Sequence, residues 1–471
     1  MVRRGVLLLP ILALAACAPD LGPLPQTKSA SDYASSQSFA APETSWPQSE
    51  WWKAYGDAQL DGLITQALAD SPDIRVADAR LREALAAAQI SDADLWPTLT
   101  ANGSLLPTRQ SLNNGFPAAF KSFLPHGWHT ESQDTVNLSY DLDLFGKDRA
   151  TFAAATSEAD AARVDAQAAR LMISTAVAAG YADLVQLGAD QKSAKDALRV
   201  RQDSANLVSQ RVSQGLDNQG ELAQAQARVA QARSDLDVLQ GEIAIARNQL
   251  AALLGKGPDR GLDIAIPENV ALQPFGLPAS LAADLMGRRP DVTAARLRAE
   301  AAASRIDAAH ADYYPNIDLT AYYGLESLGI NTLVNHGSII GQVGPAVHLP
   351  IFDAGRIEGN YRNARAQYDE AVATYDKSLT NALHEVADAL ANQRELRDQL
   401  LHAHQAQAAS EKAYDVAMQR YKGGLSRYLD VLTAEDTLVQ QRRAVADLEA
   451  RAFSLDVALV RALGGGFTSN G

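Results

Sequence analysis

The chain has 471 residues and a formal net charge of −14, from 42 lysines and arginines against 56 aspartates and glutamates. This acidic balance argues against nucleic acid and anionic membrane surfaces as partners. Apolar residues make up 47% of the chain and aromatic residues only 6%, and the length suffices for several domains or one elongated assembly.

The N-terminus is typical of a secretory signal. Arg3 and Arg4 precede an apolar run over 6–16 that is too short to span a membrane permanently. Cys17, the only cysteine, follows Leu-Ala-Ala and resembles the acylated cysteine of a bacterial lipobox, with a chance cysteine as the alternative. Ala18 in place of aspartate favours transfer to the outer membrane. A lone cysteine excludes intramolecular disulfides, and because no run of about 18 apolar residues follows, we expect no transmembrane helix.

Proline positions outline the helices, because proline is excluded from helix interiors. The 19 prolines leave 126–257 and 351–471 clear, and shorter clear ranges follow Pro72 and Pro290. Each of these two prolines is placed to begin a helix. The sequence therefore predicts a helix, a proline-rich gap and a very long helical stretch, and then the same order again.

Three blocks of sequence occur twice in the same order, which indicates an internal duplication. The pairs are 71–84 with 289–302, 143–149 with 350–356, and 210–226 with 419–435, at spacings of 218, 207 and 209. Each half therefore consists of a helix, a gap, a long helix, a glycine break and a second long helix.

The long segments have the spacing of a coiled coil. Apolar residues, mostly alanine, recur at alternating steps of three and four from Phe152 to Ala176. A continuous helix from Gly146 to about Val212 would be about 100 Å long, which is more than a globular core requires. A solvated coiled-coil rod is the alternative interpretation.

Four segments in the two gaps alternate apolar and polar residues, which is the period of a β-strand with two different faces. They are 98–106, 135–144, 316–324 and 338–350, with Asp141 and Asp143 on the polar face that would line a lumen. Their length suits strands that cross a membrane at a tilt. Two hairpins cannot close a barrel and an open edge in lipid is forbidden, so other copies of the chain must complete it. The alternative is a small soluble sheet that caps the coiled coil.

The lipobox, the duplicated halves and four motifs together resemble the outer-membrane factors, the TolC-like channels, and among them the OprM/NodT-type efflux lipoproteins. The motifs are RRPDV at 288–292, YYP at 313–315, PIFDAGR at 350–356 and RYKGGLSRYLDVLTAE at 420–435. The resemblance covers essentially the whole mature chain. It implies a mixed α and β, mainly α, fold: a homotrimer whose protomers contribute four strands each to a twelve-stranded transmembrane β-barrel, continuous with a long periplasmic α-helical barrel.

The resemblance also divides the chain into segments. They are a lipoprotein signal peptide (1–16), an N-terminal linker and equatorial segment (17–56), a first-repeat helix (57–97), a first barrel hairpin (98–145), a long helix pair (146–255) with its tip near 215–220, an equatorial linker (256–289), a second-repeat helix (290–315), a second hairpin (316–352), a second long helix pair (353–463) with its tip near 423–426, and a C-terminal tail (464–471).

The function implied by the resemblance is a passive exit duct: the outer-membrane channel of a tripartite, RND-type efflux system for drugs and small amphiphiles in a Gram-negative bacterium. Its partners would be a periplasmic adaptor, an inner-membrane pump and outer-membrane lipid. A type I protein-secretion duct and a poreless periplasmic scaffold lipoprotein are the alternatives. His402 and His404 lie on different helix faces, and no catalytic constellation is found. We therefore predict no enzyme activity, no metal site and no cofactor besides a covalent lipid on Cys17.

Glycines interrupt both long helix pairs, Gly215 and Gly220 in the first half and Gly423 and Gly424 in the second. Glycine adopts the left-handed backbone that ends a helix, so these residues are predicted to reverse the chain at two hairpin tips rather than to kink one helix. The resemblance implies that the adaptor docks at these tips, where the helical tunnel narrows.

The residues after the second glycine pair are predicted to form the periplasmic aperture. On the family pattern Leu429, Asp430 and Thr433 point into the pore. Relatives often carry an acid at 430 or 433, and this chain keeps one only at 430. Three Asp430 carboxylates around one axis would resist ionising together and would favour cations.

A second group at the tip is predicted to hold the aperture shut. Arg420 and Tyr421 match positions that, in relatives, bond between neighbouring hairpins, and Asp217 in the first-half turn is a plausible partner. The alternative is that both are ordinary solvated helix residues.

Overall fold

The structure is a computed structural model, and it describes residues 19–113, 115, 117–267, 277–278 and 281–469. The signal segment and Cys17 lie outside the described residues. The chain divides into two units. The first is built mainly from Arg82–Ala161 and Arg296–Thr374, and the second from Thr27–Leu81, Ala162–Ala295 and Tyr375–Gly471.

The main elements follow the same order twice. In the first half they are α1 (Ala58–Asp70), α2 (Pro72–Ala93), β1 (Thr98–Thr108), β2 (His129–Asp141), α3 (Lys147–Ser213) and α4 (Gln219–Leu253). After the short α5 (Asp259–Leu262) they are α6 (Leu281–Arg288), α7 (Pro290–Ala311), β3 (Asn316–Leu328), β4 (Ile339–His348), α8 (Arg356–Lys422) and α9 (Tyr428–Ala462). α2 and α7 have 22 residues each, α3 and α8 have 67, and α4 and α9 have 35, which identifies the halves as copies of one unit.

The first unit contains one antiparallel sheet in the order β1-β2-β3-β4. Its cross-strand rows alternate between two chemically different faces. An apolar row runs through Leu99, Leu138, Ala321 and Val343, and the adjacent polar row through Thr100, Asn137, Tyr322 and Gln342. Among the described residues of one chain, Leu99 and Val343 of the apolar row are exposed, Leu138 and Ala321 are partly exposed, and β1 and β4 are edge strands.

The strand predicted at 135–144 is shifted in the structure. β2 begins earlier, at His129, and ends at Asp141. Asp143 has a φ of 42°, and its carboxylate accepts hydrogen bonds from the backbone N–H groups of Asp148 and Arg149 at 3.0 and 3.1 Å. Asp143 therefore caps the start of α3 instead of lining a face of the sheet, because the apolar–polar alternation happens to continue beyond the strand end.

α3 differs from the expectation that no helix after the signal is apolar enough to cross a membrane. Among the described residues it contains one window that passes that test by length and composition, with a mean hydropathy of 1.3. Ile173, Val177 and Leu184 of α3 belong to the main buried cluster of the second unit, together with Leu60 of α1 and Leu250 of α4. Burial in this core accounts for the apolar character of the helix.

The segments predicted to be equatorial contact one another in the second unit. The N–H of Leu277 donates to the carbonyl of Pro42, and the N–H of Thr44 donates to the carbonyl of Leu277, both at 2.8 Å. Arg289 of the RRPDV motif, the residue before α7, is buried. Its guanidinium forms ion pairs with Asp291 and Glu385 at 2.6 Å each. These contacts tie the start of α7 to α8.

A buried acid in α3 leads to a first prediction. Asp190 is only 5% exposed. Burial, and after it the charge of Asp447, raises the pKa of Asp190 to about 6, although Arg443 lies 3.5 Å from its carboxylate. Since this pKa exceeds the ordinary 3.8, the folded protein binds the proton more tightly than the unfolded chain. Asp190 is therefore expected to contribute stability that increases as the pH falls from about 7 to about 4.

Asp190→Asn is expected to abolish that increase and to stabilise the protein at pH 7.5 by about 1–2 kcal/mol, after allowance for solvent screening. The measurement is thermal unfolding in detergent across this pH range. Asp203→Asn, at an exposed position of the same helix, is the control. An unchanged pH dependence in Asp190→Asn would show that this carboxyl is not the titrating group.

Candidate functional site

Both glycine breaks end a long helix with the same backbone turn. Gly215 and Gly424 lie in the left-handed region, with φ of 70° and 72°. The leucines that follow them, Leu216 and Leu425, donate their N–H groups to arginine carbonyls at 2.9 and 2.8 Å. This is the hydrogen bond of a Schellman motif, which requires a residue such as glycine with a left-handed backbone.

The other two predicted tip glycines do not have this role. Neither Gly220 nor Gly423 has a positive φ. Gly220 lies in the first turn of α4, where a Cβ atom would lie 3.0 Å from the carboxamide oxygen of Asn218. The absence of a side chain therefore leaves room for Asn218. Asn218 caps α4 by accepting the N–H of Glu221 at 3.1 Å. The left-handed residues that end α3 and α8 are therefore Gly215 and Gly424, and Gly423 precedes Gly424 in the same turn.

Between the two turns, three side chains form a closed cluster, here called the tip cluster: Arg211, Asp217 and Tyr421. The hydroxyl of Tyr421 donates to Asp217 Oδ2 at 2.5 Å, and Arg211 Nε donates to the same oxygen at 2.8 Å. The Arg211 guanidinium also lies over the Tyr421 ring, 4.5 Å from its centre. The cluster thus joins the end of α8 to the α3–α4 turn of the same chain.

The tip cluster lies over an apolar core. Tyr421 is 1% exposed and packs with Tyr428 and Val208. Burial would raise the pKa of Asp217, but the hydrogen bonds from Arg211 and Tyr421 outweigh it and hold this pKa below its ordinary value. Burial, and then the bond to Asp217, raises the pKa of Tyr421. At neutral pH the cluster therefore contains a carboxylate, a guanidinium and a neutral phenol donor.

Arg211 was missed by the sequence reasoning, which proposed Arg420 instead. Arg420 forms no hydrogen bond or ion pair through its side chain within the described part of the chain, and it lines an open groove together with Ser426 and Asp430. Within the chain, Arg211 bonds Asp217 because it lies in the last turn of α3, next to the turn that carries Asp217. The repeat spacing of 209 contained the signal, since it aligns Arg211 with Arg420.

The predicted aperture residues share one exposed face of α9. Leu429 is 61% exposed, and Asp430 and Thr433 are exposed as well. Their neighbours in the same turns are buried in the tip core: Tyr428, Val431 and Leu432. The hydroxyl of Thr433 donates to the carbonyl of Leu429 at 2.9 Å, so it is used within the helix. Asp430 is therefore the charged member of this face.

Asp430 also has a structural role that the sequence reasoning did not predict. Its carboxylate accepts the backbone N–H of Arg427, the residue before α9, at 3.3 Å. Glu221 makes the equivalent bond to the N–H of Asn218 at the start of α4, at 3.5 Å. Both acids occupy the third helical position, where a side chain can reach back to the cap. This bond holds the Asp430 carboxylate at the helix start.

No group of three or more histidine, cysteine, aspartate or glutamate side chains within the described ranges could hold a metal ion.

Comparison with known proteins identifies the family. The family model described as "Outer membrane efflux protein" matches residues 63–256 and 281–465. The chain belongs to this family. Among curated relatives, the fusaric acid resistance protein FusA of Burkholderia cepacia is 35% identical over 379 residues, which cover 77% of this chain and 70% of that protein. The cation efflux system protein CusC of Escherichia coli O157:H7 is 31% identical over 417 residues, 88% of each chain.

A solved structure is similar over nearly the whole length. The outer membrane protein VceC of Vibrio cholerae has 41% sequence identity and a TM-score of 0.85, and the match covers 90% of this chain and 100% of that chain. Members of the family form trimers and work in tripartite efflux systems. The chain is therefore a TolC-like efflux channel of the Gram-negative outer membrane, which confirms the family, fold class, function and location predicted from the sequence.

Proposed function

We propose that this chain forms the passive exit duct of an RND-type tripartite system for drugs and small amphiphiles, and that its periplasmic entrance is closed at rest by the tip cluster. The observation that carries the proposal is the sheet with one apolar and one polar face. A face of exposed apolar side chains is stable in lipid, and the polar rows on the opposite face suit a water-filled lumen.

Closure of the barrel follows from the edges of that sheet. β1 and β4 each have one side without a strand neighbour in the part of the chain that the structure describes. Unpaired backbone groups are not tolerated in the hydrocarbon region. Three copies that pair β4 of one with β1 of the next satisfy every strand and give a twelve-stranded barrel.

The entrance is proposed to lie where the exposed face of α9 starts. In a trimer, three Leu429 side chains would narrow the opening and three Asp430 carboxylates would surround it. Like charges close together favour a bound cation or proton. The resting duct is therefore expected to prefer cations, with one acidic ring because position 433 is threonine.

The two tips are proposed as the docking surface for the periplasmic adaptor. Each Schellman turn presents an exposed leucine, Leu216 in the first half and Leu425 in the second. Paired apolar residues at matching turns suit a partner that engages both halves alike. An inner-membrane pump would then drive transport through the duct.

Acylation of Cys17 is proposed to add a lipid anchor to the barrel, which itself holds the protein in the membrane. Cys17→Ser is expected to remove the lipid and to leave the protein in the outer-membrane fraction, soluble only in detergent. The measurement is fractionation, with mass spectrometry of the N-terminus for the lipid. Release of Cys17→Ser into detergent-free buffer as a folded protein would support the poreless scaffold instead.

A further inference from the structure

Each half of the chain places one aromatic residue before its hairpin and one after it. Trp96 and Tyr314 precede β1 and β3, and each N–H donates to the carbonyl three residues earlier, at 3.1 and 3.0 Å. Phe145 and Phe352 follow β2 and β4, each four residues beyond the end of its strand. The two halves therefore present the same aromatic positions at the base of their hairpins.

One of the two possible aromatic pairs is formed within the chain. Phe145, after the first hairpin, stacks on Tyr314, before the second, with ring centres 4.6 Å apart and planes inclined by 10°. This stack adjoins the end of β2 and the start of β3, which pair with each other and form the internal seam. Parallel stacking at this distance stabilises the contact by more than the burial of apolar area alone.

The other two aromatic residues are exposed. Trp96 is 65% exposed and Phe352 is 89% exposed. They adjoin β1 and β4, the two edge strands of the sheet. Their equivalents in the repeat, Tyr314 and Phe145, are the two residues that stack. By this equivalence, Trp96 corresponds to the ring on which Phe352 would stack, as Tyr314 does for Phe145.

We infer that Phe352 stacks on Trp96 of the partner subunit, so that three such intersubunit stacks alternate with three internal Phe145–Tyr314 stacks around the trimer. The inference rests on the trimeric barrel proposed above and adds the side-chain contact that fixes its seam.

The repeat also predicts the strand register at that seam. Within the chain Val136 of β2 lies opposite Tyr323 of β3. The repeat spacings of 207 and 218 carry this pair to Val343 of β4 opposite Leu105 of the partner subunit. Val343 and Leu105 both lie on the apolar face. The register obtained from the repeat spacings therefore keeps the two faces of the sheet continuous across the seam. A slip of one residue would not.

The two seams are not identical. Beside the internal stack, Lys147 forms an ion pair with Asp312 at 2.8 Å. The first residue of α8, Arg356, takes the place of Lys147, the first residue of α3, and Asp94 takes the place of Asp312, but the loop from 349 to 355 is two residues longer than that from 142 to 146. Phe145 and Phe352 keep the same distance in sequence from their strands, whereas the two helix starts do not.

Crosslinking tests the contact directly. In Trp96→Cys with Phe352→Cys, a short bis-maleimide is expected to yield dimers and trimers on a denaturing gel. Phe145→Cys with Tyr314→Cys, the matched internal pair, is expected to crosslink within the chain and to remain at monomer mass. Single-cysteine variants control for Cys17. A trimer by size and mass in which only the internal pair reacts would overturn the stack and leave the proposed function standing, whereas a monomeric native protein would overturn both.

A double-mutant cycle measures the interaction. Trp96→Ala and Phe352→Ala are each expected to accelerate heat-induced dissociation of the trimer about 2- to 10-fold, the range that corresponds to one aromatic pair. The double variant is expected to be no faster than the faster single variant. Phe123→Ala, at an exposed phenylalanine in the β1–β2 loop, is expected to leave the rate unchanged. Effects of the two substitutions that simply multiply would show that the rings do not touch.

Discussion

Asp217→Ala is expected to open the resting entrance and to raise single-channel conductance several-fold. The Asp217 carboxylate accepts both the Tyr421 hydroxyl and Arg211 Nε, and Tyr421 is fully buried beneath it. Removal of the acid leaves a guanidinium and a phenol without their shared partner. Loss of the shared acceptor of these two hydrogen bonds in a part-buried site costs about 1–3 kcal/mol, which weakens the contact between the two helix ends. The measurement is planar-bilayer recording of the purified variant beside the native protein.

A matched pair of arginine variants sharpens this test. Arg211→Ala is expected to raise the conductance as Asp217→Ala does, and Arg420→Ala, at the equivalent position of the second half, to raise it less, since Arg420 does not bond Asp217 within the chain. Tyr421→Phe removes one hydrogen bond and keeps the buried ring, so its effect should be smaller. An Arg420→Ala channel as open as the Arg211→Ala channel would contradict the assignment of the tip cluster.

The pH dependence of closure follows from the same cluster. Because the folded pKa of Asp217 is lower than its ordinary 3.8, its contribution to closure is fully present above that value. The contribution is lost as the pH falls below 3.8 through the folded pKa. Acidification to pH 5 is therefore expected to leave the tip cluster intact.

Asp430→Asn is expected to abolish the cation preference of the channel. Asparagine can still accept the N–H of Arg427 through its carboxamide oxygen, so the start of α9 keeps its cap while three charges leave the entrance. The ratio of cation to anion permeability, from the reversal potential in a salt gradient, should fall several-fold toward one.

Glu221→Gln is the control for Asp430→Asn. Glu221 occupies the same third position of α4 and makes the same bond to its cap. Its substitution removes one charge per chain at the other tip, and selectivity should remain that of the native channel. If the two variants lose selectivity equally, the preference arises from the general charge of the tips and not from an Asp430 ring.

The sequence predicted the large elements because their determinants are local. Proline cannot lie inside a helix, so its absence predicted the long helices, and Pro72 and Pro290 begin α2 and α7. The faces of the sheet followed from the period of two. The end of β2 did not, because the alternation continues through Asp143, which a left-handed backbone turns into a helix cap.

The candidate site was less predictable because its contacts join residues that are distant in sequence. Tyr421 and Asp217 are separated by 204 positions, and the turn geometry decides that Arg211 and not Arg420 reaches them. The cap formed by Asp430 depends on where α9 starts, which the glycines alone do not specify. The repeat did carry this information, since Arg211 and Glu221 align with Arg420 and Asp430.

Planar-bilayer conductance of the purified, detergent-extracted protein, in a salt gradient, tests the central claim most directly. A trimer nearly closed by its tip clusters should give small, cation-selective steps, and the Asp217→Ala trimer should give larger ones. Silence from both proteins, once each is shown to be trimeric and inserted, would contradict a pore through this assembly.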